Sequence, residues 1–153
     1  MEVSDMPARK VSAPGYGFMN DFWSPAVVKD GKIVFSALGG IIANPDYHVR
    51  TATAETVPTG PVGPAIRIGT SVADQVRIIF SHITDVLDAE GKTLYDVAGF
   101  TLVFRPGTAT DVVQGAIHAV DSQMGQAPYT LTTLFCDFLG REEEVLQIIP
   151  HLW

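Results

Sequence analysis

The fold is decided by residues 71–104, which read SVADQVRIIFSHITDVLDAEGKTLYDVAGFTLVF. Ser71 is suited to cap a helix and Gly91 to end it. Between them, apolar residues recur at helical spacing, at Val72, Val76, Ile79, Ile83, Val86 and Leu87. Residues 98–104 are rich in β-branched and aromatic side chains and predict a strand, which a turn at 105–107 closes. The stretch therefore predicts a helix that leads into a strand.

A β-hairpin is predicted before this helix. Two strand-like runs, 26–28 and 33–37, flank an Asp-Gly dipeptide at 30–31, the usual signature of a hairpin turn. The second run leads to Gly39-Gly40, where backbone amides can approach a ligand or another chain. Residues 1–21 mix proline and glycine with charges and show no sustained period, which predicts an irregular N-terminal arm that is partly ordered if it packs against the domain.

A long loop is predicted over residues 41–70, whose prolines, threonines and glycines resist both a helix and a central strand. Loops longer than about 12–15 residues in a compact domain are usually functional or disordered. The segment is therefore either a lid over a site or an unpacked insertion. Its apolar residues, which include Tyr47 and Ile66, favour a loop packed against the domain.

The last third of the chain predicts a second helix and two more strands. Thr108 or Thr110 is suited to cap the helix and Gly125 to end it, and strand-like runs follow at 129–135 and 145–149. The order is ββαβαββ. It predicts an α+β domain with one mixed sheet and both helices packed on one face, because each helix has a single apolar stripe. The other face of the sheet then needs cover, which predicts a homo-oligomer.

Composition bounds the class of protein. A chain of 153 residues with 46% hydrophobic content predicts one domain, over residues 22–153, after the N-terminal arm. The net charge of −7 argues against nucleic-acid and membrane-surface partners. No apolar run approaches the roughly 20 residues that cross a bilayer. The lone Cys136 and a start without an apolar signal run predict a cytoplasmic location.

Three blocks of the sequence resemble the RidA/YjgF family, whose fold is like that of chorismate mutase. They are WSPAVVKDGKIVFSA at 23–37, residues 73–104, and QAPYTL at 126–131. The resemblance implies a homotrimer that binds a small-molecule substrate in clefts between subunits and needs no cofactor. It also implies hydrolytic deamination of an enamine or imine.

The chain departs from the family pattern at two functional positions. Where deaminating members carry an arginine that holds a substrate carboxylate, this chain has Tyr129, or in another alignment Thr130. Where they carry an acidic residue on the last strand, it has Gln147, although the strand can be slid by two residues without loss of pattern. A glutamine amide takes up no proton near neutral pH and cannot serve as a general base.

The resemblance also implies a set of site residues. The catalytic positions are His82, Tyr129 and Gln147, and the substrate-binding positions are Trp23, Ala37, Leu38 and Thr130. His82 is either a half-exposed helical histidine that bonds a loop carbonyl or an acid or base in a pocket. Tyr129 either donates a hydrogen bond to a substrate oxygen or packs at a subunit seam.

Other polar residues carry weaker predictions. The acidic run Glu142 to Glu144 reads as a solvated turn, although one of the three could act as a base if the cleft reaches that turn. Cys136 lies beside Asp137, which favours an inert thiol. His48, His118 and His151 do not stand at metal-ligand spacing with one another or with Cys136, so no metal site is predicted.

Two classes of function remain open. The first is an enzyme that deaminates an imine or enamine, or that isomerises or tautomerises a less anionic substrate. The second is a trimer that binds a small molecule without catalysis. His82→Ala would separate them, since loss of turnover with unchanged binding would support catalysis.

Overall fold

The structure is a computed structural model that describes residues 7–21, 24–43, 66–137 and 140–153. The strands are β1 Arg9–Val11, β2 Ala26–Lys29, β3 Lys32–Phe35, β4 Leu38–Gly39, β5 Ile41–Ala43, β6 Ile66–Ile68, β7 Val97–Phe104, β8 Thr130–Phe135 and β9 Leu146–Leu152. The α-helices are α1 Val72–Ala89 and α2 Thr110–Met124, and 3-10 segments occupy Pro14–Asp21 and Leu94–Asp96. Within these residues, neither α-helix is long and apolar enough to cross a bilayer.

The two α-helices lie where the sequence predicts them. The side chain of Ser71 accepts a hydrogen bond from Asp74 N at 3.0 Å and caps α1. The predicted threonine cap of α2 is wrong, because Ala109 occupies the cap position and makes no side-chain bond. The Thr108 hydroxyl instead donates to Arg105 O at 2.7 Å and closes the preceding turn. Gly125, with φ of 60°, ends α2 as predicted.

The strands form a mixed sheet and a separate hairpin layer. β7 pairs in parallel with β8 and antiparallel with β9, in the order β4-β9-β7-β8. A second sheet, β1-β2-β3, lies beside it, with β3 close to β9. The α+β class with two helices on one face is confirmed, although the strands divide into more than one sheet.

The N-terminal arm is more regular than the sequence predicts. β1 pairs antiparallel with β2, so that Arg9 lies opposite Val28. Tyr16 is 1% exposed and Met19 is fully buried. The described part of the arm is therefore ordered, because its apolar side chains join the core.

The predicted loop at 41–70 begins and ends in strands. β5 and β6 pair antiparallel, with Ile41 opposite Ile68. Ile41 and Ile66 are both buried, which is why these ends hold together. Residues 44–65, including Tyr47, lie outside the described residues. Whether the segment is a lid over a site or an unpacked insertion therefore stays a prediction.

The face of the sheet opposite the helices carries a mixture of polar and apolar side chains. On β7, Phe100, Leu102 and Phe104 are buried against the helices. On the other side, Thr132 and Leu134 of β8 are exposed, the latter by 49%, and in the β1-β2-β3 sheet Val34 is 65% exposed. β8 is also an edge strand, whose outer backbone groups have no partner strand among the described residues.

Candidate functional site

A buried polar group of side chains lies where β4 meets β9. Gly39 pairs with Gln147 across these two strands, and Leu38 pairs with Ile148. The carboxylate of Glu144 is next to them and the residue is only 2% exposed. We refer to Tyr16, Gly39, Glu144 and Gln147 as the strand-end cluster. Glu144 was predicted to lie on a solvated turn, and the structure corrects this.

The carboxylate of Glu144 is held by specific donors. Its Oε2 accepts a hydrogen bond from Arg141 N at 2.6 Å, and the side-chain amide of Gln147 donates to the carboxylate. Burial raises the pKa of Glu144, and the Arg141 bond, the charges of Arg141 and Arg105, and the Gln147 bond oppose that rise. A buried carboxyl whose pKa is raised above its ordinary value is a candidate for an acid or base in catalysis.

Tyr16 forms the floor of this cluster. Its hydroxyl hydrogen-bonds to the backbone of Gly39. Burial, and next the nearby charge of Glu144, raise the pKa of Tyr16 well above its ordinary value. Tyr16 therefore stays a neutral phenol and adds no charge to the cluster.

The two glycines at the end of β4 have different close neighbours. A Cβ at position 39 would collide with Oε1 of Glu144, so any side chain there would have to displace the carboxylate from its present position. A Cβ at position 40 would collide with Gln75, including its backbone Cα. The Gly39-Gly40 pair therefore lets β4 lie directly against the Glu144 carboxylate and against α1.

Two side chains fix the backbone on either side of Glu144. Arg105 donates from Nη2 to Arg141 O at 2.6 Å and from Nη1 to Glu144 O. Gln75, which is 2% exposed, donates from Nε2 to Glu143 O at 2.9 Å, and its Oε1 accepts from Val145 N at 2.9 Å. The turn that carries Glu144 is thus held in place before any ligand arrives.

We expect Gln75→Leu to lower the free energy of unfolding by about 2–4 kcal/mol. The change leaves Val145 N and two carbonyl groups without their partner, and a buried group left unpaired costs about 1–3 kcal/mol. Urea unfolding measures the loss. Gln114→Leu, at an exposed position of α2, is the control and should change the value by less than about 0.5 kcal/mol. Equal losses of unfolding free energy in both variants would contradict the role of Gln75 in holding the turn that carries Glu144.

Tyr129 and Thr130 lie at the other end of the sheet. The Tyr129 hydroxyl donates to Oδ1 of Asp121 at 2.9 Å, and its ring packs edge-on against Phe100 with centroids 5.8 Å apart. Burial and the bond to Asp121 raise the pKa of Tyr129. The Oγ1 of Thr130 donates to Ala98 O at 3.2 Å. The single phenol proton of Tyr129 is therefore already donated to Asp121 within the chain.

The two groups of predicted residues do not meet in one chain. Thr130 pairs with Gly99 on β7, whereas Gln147 pairs with Val103 on the same strand. A strand rises about 3.3 Å per residue, so these positions are about 13 Å apart along β7. Any site that uses both groups must therefore take them from different copies of the chain.

His82 bonds a backbone carbonyl, as one of its two interpretations predicts, but it is fully buried rather than half exposed. Its Nε2 lies 2.6 Å from Ile41 O, at the start of the segment that the sequence predicts as a loop. Its ring lies 4.3 Å from that of Tyr16, and Nδ1 faces Gly15 without a hydrogen-bond partner among the described residues. Burial lowers the pKa of His82, although the Ile41 bond opposes this. His82 is a neutral core side chain that fastens β5 to α1.

We expect His82 to make the stability of the fold depend on pH. Because its pKa is lowered by folding, it stabilises the native state fully above the unfolded value of about 6.5. This contribution is lost as the pH falls toward the folded pKa. His82→Gln keeps a donor for Ile41 O but does not titrate, so its melting temperature should fall less between pH 7 and pH 5. His118→Gln, at an exposed position, should behave like the wild type.

The remaining predicted residues are placed as follows. Ala37 is exposed between β3 and β4, and the side chain of Leu38 is fully buried, so only the backbone of Leu38 can face a ligand. Trp23 lies outside the described residues. Among the described residues, no group of three or more His, Cys, Asp or Glu side chains is arranged to hold a metal ion.

Comparisons with known proteins identify the fold. No protein-family model and no curated protein matches the sequence. A member of the YjgF/YER057c/UK114 family from Mycobacterium tuberculosis matches with a TM-score of 0.65 and 16% identity, over 96% of this chain and 99% of that chain. A Rid-family protein of unknown function, YyfA from Yersinia pestis, matches with a TM-score of 0.67 and 12% identity, over 94% and 97%.

The chain is therefore an α+β protein with the fold of the YjgF/Rid structures. The resemblance predicted from its sequence is confirmed in that fold. Identities of 12% and 16% establish the fold alone, and the same fold can support different functions. Function is therefore argued from this chain's own residues.

Proposed function

We propose that this chain is an enzyme acting on small imine or enamine metabolites, with Glu144 as its acid and base. The buried Glu144 carboxyl beside Gln147 and Gly39 carries this proposal. The residue that the resemblance puts on the last strand, Gln147, cannot take up a proton, but it donates a hydrogen bond to one that can. The acid is therefore supplied by the turn before β9, and Gln147 positions it.

The proposed reaction is hydrolysis of a carbon–nitrogen double bond. The Glu144 carboxylate takes a proton from water while the water oxygen bonds to the imine carbon. Glu144 then passes that proton to nitrogen, which gives a carbinolamine. It next takes the hydroxyl proton of this adduct and delivers it to the amino nitrogen as the carbon–nitrogen bond breaks, so that ammonia and a carbonyl compound leave and the carboxylate is restored. The same group acts as base and then as acid, which suits a buried carboxyl whose pKa is raised above its ordinary value.

We further propose that the site forms between copies of the chain in a trimer. The two groups of predicted residues are separated along β7, and the sheet face opposite the helices carries exposed apolar side chains such as Leu134. A neighbouring copy would cover this face and bring its Tyr129 toward the strand-end cluster. This arrangement matches the inter-subunit cleft that the family resemblance implies.

A second candidate function is isomerisation or tautomerisation by proton transfer alone. It is favoured by the Tyr129–Asp121 bond, because neither side chain offers a positive charge to an anionic substrate. Glu144 would move a proton between two atoms of the substrate without addition of water. The two reactions differ in their products, since only hydrolysis releases ammonia.

The test is ammonia release from 2-aminoacrylate, from aminomuconate-type enamines and from imines of simple amines that carry no carboxylate, each compared with spontaneous hydrolysis at the same pH. Release well above background supports the deaminase. Background release together with a substrate isomer in the product would favour the second candidate. Ligand binding with no product of either kind would overturn catalysis and leave a trimer that only binds.

A further inference from the structure

We propose that the site selects imines that carry no carboxylate, whether the imine nitrogen is neutral or protonated. This inference rests on the proposed function and names its substrate class. It starts from Tyr129, the position at which the family resemblance implies a carboxylate-binding arginine. The phenol proton at this position is donated to Asp121 at 2.9 Å and is not available to a substrate anion.

Asp121 makes the surroundings of Tyr129 negative. Neither the Arg9–Glu90 nor the Arg77–Asp74 ion pair involves Asp121. A substrate carboxylate bound beside Tyr129 would be repelled by the Asp121 carboxylate. Neither Tyr129 nor Asp121 supplies a positive charge to offset this repulsion. A neutral substrate meets no such repulsion, and a protonated imine is attracted.

The other half of the proposed cleft is not comparably negative. It holds the buried carboxyl group of Glu144 and the neutral phenol of Tyr16, with the charges of Arg141 and Arg105 nearby. Nη1 and Nη2 of Arg105 donate to backbone carbonyls of the turn, at Glu144 O and Arg141 O. The preference against a carboxylate is therefore assigned to the Tyr129–Asp121 side of the cleft, which also favours a protonated carbon–nitrogen double bond.

The substrate class indicates which reaction supplies it. An imine without a carboxylate arises when a primary amine loses two electrons and two protons at the carbon–nitrogen bond to a two-electron acceptor, such as the flavin or quinone of an amine-oxidising enzyme. An imine with a carboxylate arises when an amino acid is oxidised in the same way. The inferred supplier is therefore an amine-oxidising reaction.

The test uses a matched pair of stable cyclic imines, 1-pyrroline and 1-pyrroline-2-carboxylate, which differ by the carboxylate alone. Binding to the full-length oligomer is measured by calorimetry. We expect 1-pyrroline to bind at least about tenfold more tightly, since an interaction with a charged group is commonly worth about 1.5–3 kcal/mol and 1.4 kcal/mol is tenfold.

Variants connect the preference to Asp121. Asp121→Asn should reduce the preference several-fold, and Tyr129→Arg combined with Asp121→Asn should reverse it by placing a guanidinium where the phenol was. Asp111→Asn removes the same charge about 15 Å away on the same helix and should leave the preference unchanged. Because Asp121 is exposed and Tyr129 is only partly buried, these variants are expected to fold.

The outcomes separate this inference from the proposed function. Tighter binding of the carboxylate by the wild type would overturn the inference and leave an imine site standing. A preference that Asp121→Asn and Asp111→Asn change equally would also overturn it, because the effect would then come from net charge. Binding of neither compound, with no ammonia release from any imine, would overturn the inference and the proposed function together.

Discussion

Glu144→Gln is expected to lower kcat by about 10²–10⁴-fold, the range that a positioned acid or base contributes. Glutamine has the same shape and can still accept the hydrogen bond from Arg141 N through its amide oxygen. It cannot accept a proton from water. The change therefore removes the proposed chemistry while it keeps the packing against Gly39. Steady-state kinetics on the best substrate from the ammonia assay measure the effect.

The stability of the same variant separates a catalytic from a structural role. Because folding raises the pKa of Glu144, its contribution to stability is full below the unfolded value of about 4.5. It is lost as the pH rises through the folded pKa. At pH 7 the burial of the Glu144 carboxyl therefore lowers the stability of the wild type. Glu144→Gln should accordingly melt at the same temperature or higher. A variant that is less stable and fully active would contradict the catalytic assignment.

A control variant tests whether the buried carboxyl in particular matters. Glu142→Gln removes the same charge from an exposed position on the same turn. It should retain the kcat of the wild type. Equal losses of kcat in Glu142→Gln and Glu144→Gln would assign the effect to the charge of the turn rather than to the strand-end cluster.

Much of the fold could be predicted because it depends on local patterns. The apolar period of α1, its Ser71 cap and the Asp-Gly turn of the first hairpin are each encoded within a few residues. The strand β1 could not be predicted in this way, because its three residues include two positive charges and show no strand pattern on their own. That strand forms because β2 offers an edge for it.

The candidate site was harder to predict, because it is built from long-range contacts. Glu144 has the sequence context of a solvated acidic turn, and only the folded chain buries it against Gly39 from a distant hairpin. Tyr16 was hidden in a segment that reads as an irregular arm. One signal was present in the sequence: a glycine pair at the end of a strand indicates that something approaches the backbone there. The sequence did not reveal that a carboxylate does so.

If the site forms between copies and needs the neighbouring Tyr129 to bind substrate, Glu144→Gln and Tyr129→Ala are each inactive alone, and a mixture of the two is expected to regain activity. Glu144→Gln lacks the proposed acid, and Tyr129→Ala lacks the aromatic group that the neighbouring copy would present. In a mixed trimer, one cleft takes Glu144 from the second variant and Tyr129 from the first. Equimolar random mixing should therefore give about one quarter of the wild-type activity, because each intact contribution is present in half of the subunits.

The control for this experiment is each variant refolded or exchanged with itself, which should stay inactive. A third mixture, Glu144→Gln with the double variant Glu144→Gln/Tyr129→Ala, contains no intact acid and should also stay inactive. Activity of the first mixture alone requires that residues about 13 Å apart in one chain act together across an interface. No recovery, from a mixture shown by mass spectrometry to contain mixed trimers, would mean that the strand-end cluster works without the Tyr129 of a neighbour.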